Sequence, residues 1–434
     1  MRRGELLRHA RRYGTPLYLY DLAEVRERAA ELRAVLPPGA RLLYSLKANP
    51  LPPVVGAARG AGCGAEVCST GELEAALAAG YRPGAVLYGG PGKTRAEVDE
   101  AVARGVRTFS CESRHELPLL RAAAVARGRR LRLLLRLRPG DGPPCGLSMA
   151  RGRPFGLSAR EAAAICLDAG PADPWTVEGC HLYLGSQLPD ADALLDGFAR
   201  ARAAVTALQR ATGFTPRVVD LGGGFPWPYA APGHGCDLTP LRAPLAALTA
   251  GWDPPPAPRV WFESGRRLMA ACGTLLATVL DVKEVPGRPL LAVTDAGVHV
   301  LGGMTGLGRL LPPGAGPENL SAAPGSRPEV TADIAGPLCT PLDQLASRTR
   351  VARPDVGDVL SFPNVGAYGL TTGLTAFLSR PAPLQLVHDG GARPALWRLT
   401  TRTAPVAPGG GGEPDGADAP VAVEDGEAPS GARR

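Results

Sequence analysis

Arg41-Leu42-Leu43-Tyr44-Ser45-Leu46-Lys47-Ala48-Asn49-Pro50 is a short apolar strand that ends in a lysine and a proline-bounded turn. From it onward the chain alternates. Ala-rich stretches with helical spacing around 71–80, 96–104, 114–127, 159–169 and 191–211 separate short apolar runs near 65–68, 86–88, 107–109, 131–137, 178–184, 217–221 and 259–262. With 42–46 this makes about eight strands, each followed by a helix or a loop. That rhythm belongs to a parallel sheet, and eight units predict an α/β fold built on a (β/α)8 TIM barrel. Upstream, Leu17-Tyr18-Leu19-Tyr20 alternates like a strand, and Asp21 suits the N-cap of a helix reaching about Val35. Downstream of Glu263, runs such as Leu275–Val282 and Pro289–Val293 are joined by Pro/Gly loops and predict a mostly-β barrel or sandwich domain. The expected division is a barrel over 22–262, a β domain over 263–403 joined by residues 1–21, and a disordered tail over 404–434, which lacks aromatics and apolar periodicity.

The bulk composition narrows the function. The 434 residues suffice for two sizeable cores, and 45% apolar with 21% charged residues is ordinary for a soluble protein. The net charge of +7 comes from scattered arginines without interleaved aromatics, so no nucleic-acid partner is expected. Nine cysteines form no CxxC pair and no Cys/His ligand spacing, which predicts reduced thiols, a cytoplasmic location and no metal site. No apolar run is long enough to span a membrane, and the basic N-terminus has no apolar core of a secretory signal.

Five segments carry chemistry. Only three of the 48 basic residues are lysines: Lys47, Lys93 and Lys283. Arginine supplies charge but cannot form an imine, so each lysine is a candidate nucleophile. Lys47 falls just past a strand, at the barrel mouth where active sites collect; an ordinary surface lysine fits the spacing equally well. Val218-Val219-Asp220-Leu221-Gly222-Gly223-Gly224 runs a strand into three glycines, either an anion cradle or a flexible turn. In Trp261-Phe262-Glu263-Ser264-Gly265-Arg266, Glu263 can hold a protonated ring nitrogen and Arg266 a phosphate or carboxylate, or the two form a rim salt bridge. Gly336-Pro337-Leu338-Cys339-Thr340-Pro341-Leu342-Asp343 sets a thiol in a Pro-rich loop, as a proton donor or a small buried hydrophobe. Gly366-Ala367-Tyr368-Gly369 presents a phenol.

In this order, from about Thr15 to Pro383, these segments resemble the fold-type III pyridoxal-phosphate (PLP) decarboxylases, the group of diaminopimelate, ornithine and arginine decarboxylases whose barrel is related to alanine racemase. The resemblance implies an alanine-racemase-like homodimer with shared active sites and a decarboxylation of an amino-acid-type substrate. It implies that Lys47 is the Schiff-base lysine and that Glu66 lies near the cofactor ring. It makes Gly222, Gly223, Gly224 and Ser186 the phosphate site and Glu263 the partner of the pyridine nitrogen. Arg266 and Tyr368 are implied near phosphate or substrate, and Cys339, delivered by the partner subunit, is implied to reprotonate the product. A carboxylate at the ring nitrogen keeps the electron sink strong, which favours decarboxylation over racemisation.

Three departures bear on substrate. The family's ring-stacking histidine falls at Tyr183, and His181 reads as structural. The acid that follows the cysteine in the diamine enzymes is Thr340, a weak partner for a distal ammonium. The Cys339 segment together with Thr375-Ala376-Phe377-Leu378-Ser379 is similar to a specialised-metabolism subgroup that includes the butirosin-pathway decarboxylase of a carrier-tethered glutamyl group. That similarity implies an acyl carrier protein as partner, with a basic surface suited to an acidic carrier. Arg309 is a further expected substrate contact. The alternatives are decarboxylation of a free amino acid such as diaminopimelate, an amino-acid racemase or epimerase, and a non-catalytic PLP-binding protein.

Overall fold

The computed structural model describes residues 1–138, 155–183, 185–252, 257–302, 314–391 and 394–401. The expected tail over 404–434 and Arg309 lie outside them. Helix α1 (Arg3–Tyr13) leads into strand β1 (Leu17–Asp21) and helix α2 (Leu22–Val35), whose cap is the Asp21 carboxylate accepting from the Ala23 amide. Eight parallel strands then close a barrel: β2 (Arg41–Ser45), β3 (Gly64–Val67), β4 (Val86–Tyr88), β5 (Thr108–Cys111), β6 (Leu131–Arg136), β7 (Trp175–His181), β8 (Val218–Asp220) and β9 (Arg259–Ser264). Between them run α3 (Pro52–Gly60), α4 (Thr70–Ala78), α5 (Arg95–Ala103), α6 (Glu116–Ala126), α7 (Ala159–Asp168), α8 (Ala191–Thr212) and α9 (Arg242–Ala250). The barrel expected from the alternation is present. Helices α1, α3 and α9 were not anticipated. Two consecutive prolines open α3, where a missing amide hydrogen is harmless because the first turn has no acceptor for it.

The chemistry of the loops fixes where these helices begin. Ser69 caps α4 through the Glu72 amide, and Thr94 with Glu97 and Ser158 with Glu161 form reciprocal capping boxes on α5 and α7. Inside the barrel, Leu43, Leu87, Leu134 and Val218 come from the alternate strands β2, β4, β6 and β8 and pack with Trp261 into one buried layer. Nearer the C-terminal ends of the strands the inward residues turn polar: Glu66, Ser110, His181 and Glu263, from β3, β5, β7 and β9, are all buried. Polar side chains survive in such a place only where they have partners or a ligand to meet.

After a single turn, α10 (Arg266–Met269), the chain enters the β domain, comprising β10 (Gly273–Lys283), β11 (Leu290–Thr294), β12 (Glu318–Asn319), β13 (Glu329–Ala335), β14 (Gln344–Ala352), β15 (Val359–Phe362), β16 (Leu384–His388) and β17 (Ala395–Arg398). Its strand order is β14-β13-β11-β10-β1-β16-β17, with β15 also on β10 and paired to β12. β1 is inserted between β10, antiparallel with Leu17 opposite Leu276, and β16, parallel with Leu17 opposite Leu384. Residues Met1–Leu399 form one compact unit.

One close approach locks the β domain to the barrel mouth. A side chain on Gly273 would begin 2.3 Å from the Gly366 backbone, so two glycines let β10 and the 366–369 loop touch. From that contact the Tyr368 amide reaches the Ala48 carbonyl at 2.7 Å, and the Asn49 side chain donates to the Gly366 carbonyl at 3.0 Å.

Candidate active site

Lys47 stands on the one-turn helix Leu46–Ala48 that follows β2. Its Nζ lies 3.4 Å from Glu66 Oε2. Its side chain is 44% exposed, because it stands in the open mouth, reachable from solvent yet ringed by protein. Burial opposes the charge on this amine, but Glu66, with help from Cys68 and Glu263, outweighs it and holds the ammonium well above its ordinary range. Glu66 is itself pushed up by burial, but Lys47 and donors from Cys68 and Ser45 bring the carboxyl below its usual value. The Cys68 thiol donates to Glu66 Oε1 at 2.9 Å. Lys93, by contrast, is fully engaged in the interior, donating to the carbonyls of Gly90 and Ser110 at 2.7 Å each and to Glu116 at 3.0 Å. Lys283 pairs at the surface with Asp281.

The three glycines are dictated by packing at the top of the barrel. A side chain at Gly222 would lie 2.3 Å from the Leu182 carbonyl, and one at Gly223 2.4 Å from the Glu263 carbonyl. Gly222 and Gly224 also have positive φ, +71° and +102°. The loop is tied to both neighbours: the Gly222 amide donates to Asp220 Oδ1 at 2.9 Å, and the Glu263 amide donates to the Gly222 carbonyl at 2.8 Å. Among the described residues the amides of Gly223 and Gly224 have no acceptor. Ser186 and Tyr183 are hydrogen-bonded to each other through their hydroxyls.

Arg266 opens α10 with its guanidinium over the rings of Tyr229 and Tyr368, 5.4 and 4.9 Å from the centroids. Its Nη1 is buried without a hydrogen-bond partner, and no carboxylate pairs with it among the described residues. Glu263 and Arg266 do not form the rim salt bridge that the sequence left open as an alternative. Glu263 instead faces His181, Oε1 to Nε2 at 3.5 Å, with both atoms otherwise unpartnered. Burial, then Asp220 and Glu66, pushes the Glu263 carboxyl well up; burial, then Arg136, pushes the His181 imidazole well down. His181, read from sequence as structural, lies in this polar cluster and is held by Ser110 Oγ at 2.7 Å from Nδ1.

Cys339 and Thr340 are apart from this cluster. They lie on the loop between β13 and β14, where Cys339 is exposed. No hydrogen bond, ion pair or ring contact joins Cys339 to the barrel cluster among the described residues. The loop is nonetheless ordered from beneath: buried Asp343 accepts from the amides of Val298 and Leu338 at 2.7 Å each. Sequence reading missed Asp220, Ser110 and Arg136. Arg136 pairs with Glu112 and lies 6.0 Å from the Tyr183 ring centroid. The available signal was a charged residue closing an apolar strand, as in Leu133-Leu134-Leu135-Arg136 and Val218-Val219-Asp220.

These atoms form two complementary sets. Free amides and a half-buried guanidinium with an unpartnered Nη1 await an anion, and unpartnered buried acceptors await a cationic donor, with a lysine amine beside them. A phosphorylated pyridine aldehyde meets all three demands, so the residues present fit PLP.

The profile of the family described as pyridoxal-dependent decarboxylase, pyridoxal binding domain, matches residues 22–270. The chain belongs to this family. The cofactor is accordingly PLP, and the protein is a PLP-dependent decarboxylase of amino-acid substrates. Among its relatives is a diaminopimelate decarboxylase from Deinococcus radiodurans, 32% identical over 88% of this chain and 92% of that one. Another is the decarboxylase of L-glutamyl-(BtrI acyl-carrier protein) from Niallia circulans, 28% identical over 92% and 94%. The crystal structure of AQ1208 from Aquifex aeolicus superposes with a TM-score of 0.78 at 27% identity, covering 91% of both chains. No helix among the described residues is long and apolar enough to cross a membrane.

Proposed function

We propose that this decarboxylase acts on an amino acid whose distal end carries no free ammonium, and that an aminoacyl group tethered to an acyl carrier protein is its substrate. One observation carries the reading. The Cys339 loop offers a thiol and the Thr340 hydroxyl, while its only carboxylate, Asp343, is buried and occupied by two backbone amides. A distal ammonium would lose water there and gain no charged partner. The similarity to the glutamyl-carrier decarboxylase supports the same choice. The second reading, a free diamino acid, is favoured by the diaminopimelate decarboxylases among the relatives.

In the proposed mechanism PLP supplies an aldehyde carbon and an electron-withdrawing ring that accepts the electron pair left when CO₂ departs. Lys47 is the amine that would hold it, and Glu66 anchors the Lys47 ammonium in place until the cofactor arrives. The Gly223 and Gly224 amides, Ser186, Arg266 and Tyr368 hold the anionic groups. Glu263 keeps the ring nitrogen charged, an arrangement that favours decarboxylation over racemisation. Tyr183, whose ring centroid lies 6.0 Å from the Arg136 guanidinium, would offer an aromatic face to the cofactor ring. Barrel residues 22–262 bind the cofactor, the β domain with residues 1–21 carries the loops, and Cys339 returns a proton to product in the barrel of a second copy. The unpaired state of the described cysteines supports a reducing, cytoplasmic setting.

The experiment is CO₂ release from free diaminopimelate, lysine, ornithine, arginine and glutamate, set against a glutamyl thioester on an acyl carrier protein. Turnover of the thioester at least about 100-fold above every free acid is expected. Efficient turnover of a free diamino acid with none of the thioester replaces this reading with the second.

A further inference from the structure

At the top of the barrel His181, Asp220 and Glu263 each bring one nitrogen or carboxylate oxygen to within 4.8 Å of the others, and His181 Nε2, Asp220 Oδ2 and Glu263 Oε1 are buried without a hydrogen-bond partner. Their residues come from three consecutive strands, β7, β8 and β9, and each is at most 3% exposed. The imidazole has one hydrogen to share between Ser110 and this cluster, whichever way the Ser110 hydroxyl is turned. Two buried carboxylates therefore lie with oxygens within 4.8 Å of each other, and like charges so close in a buried site resist being ionised together.

We propose that Asp220 and Glu263 hold one shared proton in the cofactor-free protein, that neutral His181 confines it there, and that the ring nitrogen's N–H replaces it when the cofactor binds. Asp220 and His181 are thus positioning residues for Glu263. The inference rests on the assignment of Glu263 to the ring nitrogen made above. The hydrogen count balances in either protonation state of the incoming ring. A neutral nitrogen takes the shared proton from Glu263, and an already protonated one sends that proton to solvent.

The charged surroundings agree. Glu263 faces Asp220 and Glu66, which oppose its ionisation, and Lys47 and Arg136, which favour it; burial and the two acids prevail and hold the carboxyl up. Asp220 is likewise raised by burial and Glu66, against the Gly222 amide, Arg41 and Arg136. His181 is kept neutral by burial and by Arg136, Lys47 and Lys93, so it cannot replace the carboxyl proton with one of its own. The cluster is also coupled to the phosphate loop, because Asp220 Oδ1 holds the Gly222 amide whose carbonyl holds the Glu263 amide.

Calorimetric titration of PLP into the stripped holoenzyme, in buffers of unlike ionisation enthalpy at neutral pH, counts protons exchanged on binding. Asp220→Asn keeps the Gly222 acceptor, removes the like charge and offers an amide N–H in place of the unpartnered Oδ2, so that on this proposal Glu263 no longer retains the proton. The chemistry at Lys47 is common to both proteins and cancels. The wild type is expected to release about one more proton per site than Asp220→Asn. Equal counts overturn the proposal. If Asp220→Asn does not fold, infrared difference spectra of the wild type decide: loss of a protonated-carboxyl band on binding supports the shared proton, and no such band refutes it. Stoichiometric zinc in the stripped wild type, lost in Asp220→Asn, refutes it too by making the three atoms metal ligands. Failure of the wild type to develop visible absorbance with PLP removes the underlying assignment of the site, a result distinct from binding with equal proton counts.

Discussion

Lys47 and Glu66 face each other across the first two barrel strands, Nζ to Oε2 at 3.4 Å. The carboxylate keeps the amine charged before the cofactor arrives, and a charged amine is not a nucleophile. Lys47→Ala is expected to abolish the visible band formed with PLP and its trapping by borohydride, with turnover down about 10³-fold or more. Glu66→Gln leaves the band but frees the amine from its anchor. It should form the band at lower pH than the wild type, read as the pH dependence of the absorbance change on mixing. A Lys47→Ala protein that retains the band would mean another group holds the cofactor.

Lys93 illustrates the opposite fate of a rare lysine. Its three hydrogens are filled by two carbonyls and Glu116, and its side chain is 1% exposed. Lys93→Ala strands the buried Glu116 carboxylate and is expected to cost about 3–5 kcal/mol, seen as a clear fall in Tm. Lys93→Met with Glu116→Leu should recover most of that loss. A double variant as unstable as the single one would show that the carbonyl contacts, not the buried charge, dominate.

The barrel was legible because its strands and helices alternate in hydrophobic period, and because caps such as Ser69, Thr94 and Ser158 announce helix starts. Lys47 and Glu263 were legible as chemical types at strand ends. The pairing of Glu263 was not: it stands three positions before Arg266 in sequence, yet the strand turns Glu263 inward to His181 while Arg266 opens a helix over Tyr229 and Tyr368. His181 read as structural because a lone histidine in a strand carries no local pattern; its contacts are with Ser110, 71 residues earlier, and Glu263, two strands further round the barrel. Contacts of that range are fixed by barrel closure, which no local spacing encodes.

The buried acids make the cofactor-free protein sensitive to alkali. Glu263 is held above its ordinary value of 4.5 in the folded chain. Its folded-state preference for the proton stabilises fully below that ordinary value and is lost as pH rises toward the folded one. The loss is about 1.4 kcal/mol for each pH unit over which only the folded protein stays protonated. Cofactor-free wild type should therefore lose Tm between about pH 5 and pH 8, and Glu263→Gln should flatten that slope, with its gain largest at pH 8. A Glu263→Gln profile parallel to wild type would place the sensitivity elsewhere.

The exposed Cys339 is ordered by Asp343 yet has no partner in its own barrel cluster among the described residues. If a second copy's barrel receives it, two inactive variants complement. Mixing Lys47→Ala with Cys339→Ala through reversible dissociation should restore about a quarter of wild-type activity, because half the dimers are mixed and each has one intact site. No recovery, with mixed dimers confirmed by mass spectrometry, would assign the thiol to its own subunit's site or to none.

Thr340 is where substrate choice is most open to change. Its hydroxyl accepts the Leu342 amide at 3.3 Å, and the neighbouring acid, Asp343, is occupied by the amides of Val298 and Leu338. Thr340→Asp adds a carboxylate at the rim without touching the buried cluster, and an aspartate at this position can still accept the Leu342 amide. A charged partner for a distal ammonium contributes about 1.5–3 kcal/mol, so kcat/KM for free diaminopimelate or lysine should rise at least about tenfold. Turnover of the glutamyl thioester should fall, since the new charge repels a substrate that brings carboxylate or carbonyl oxygen to the same place. The gain should appear in KM more than in kcat, because the ammonium contact is made equally before and during the reaction. A variant unchanged on both substrates would mean the distal end of the substrate lies away from this loop, and the absence of an acid beside Cys339 would then carry no information about specificity.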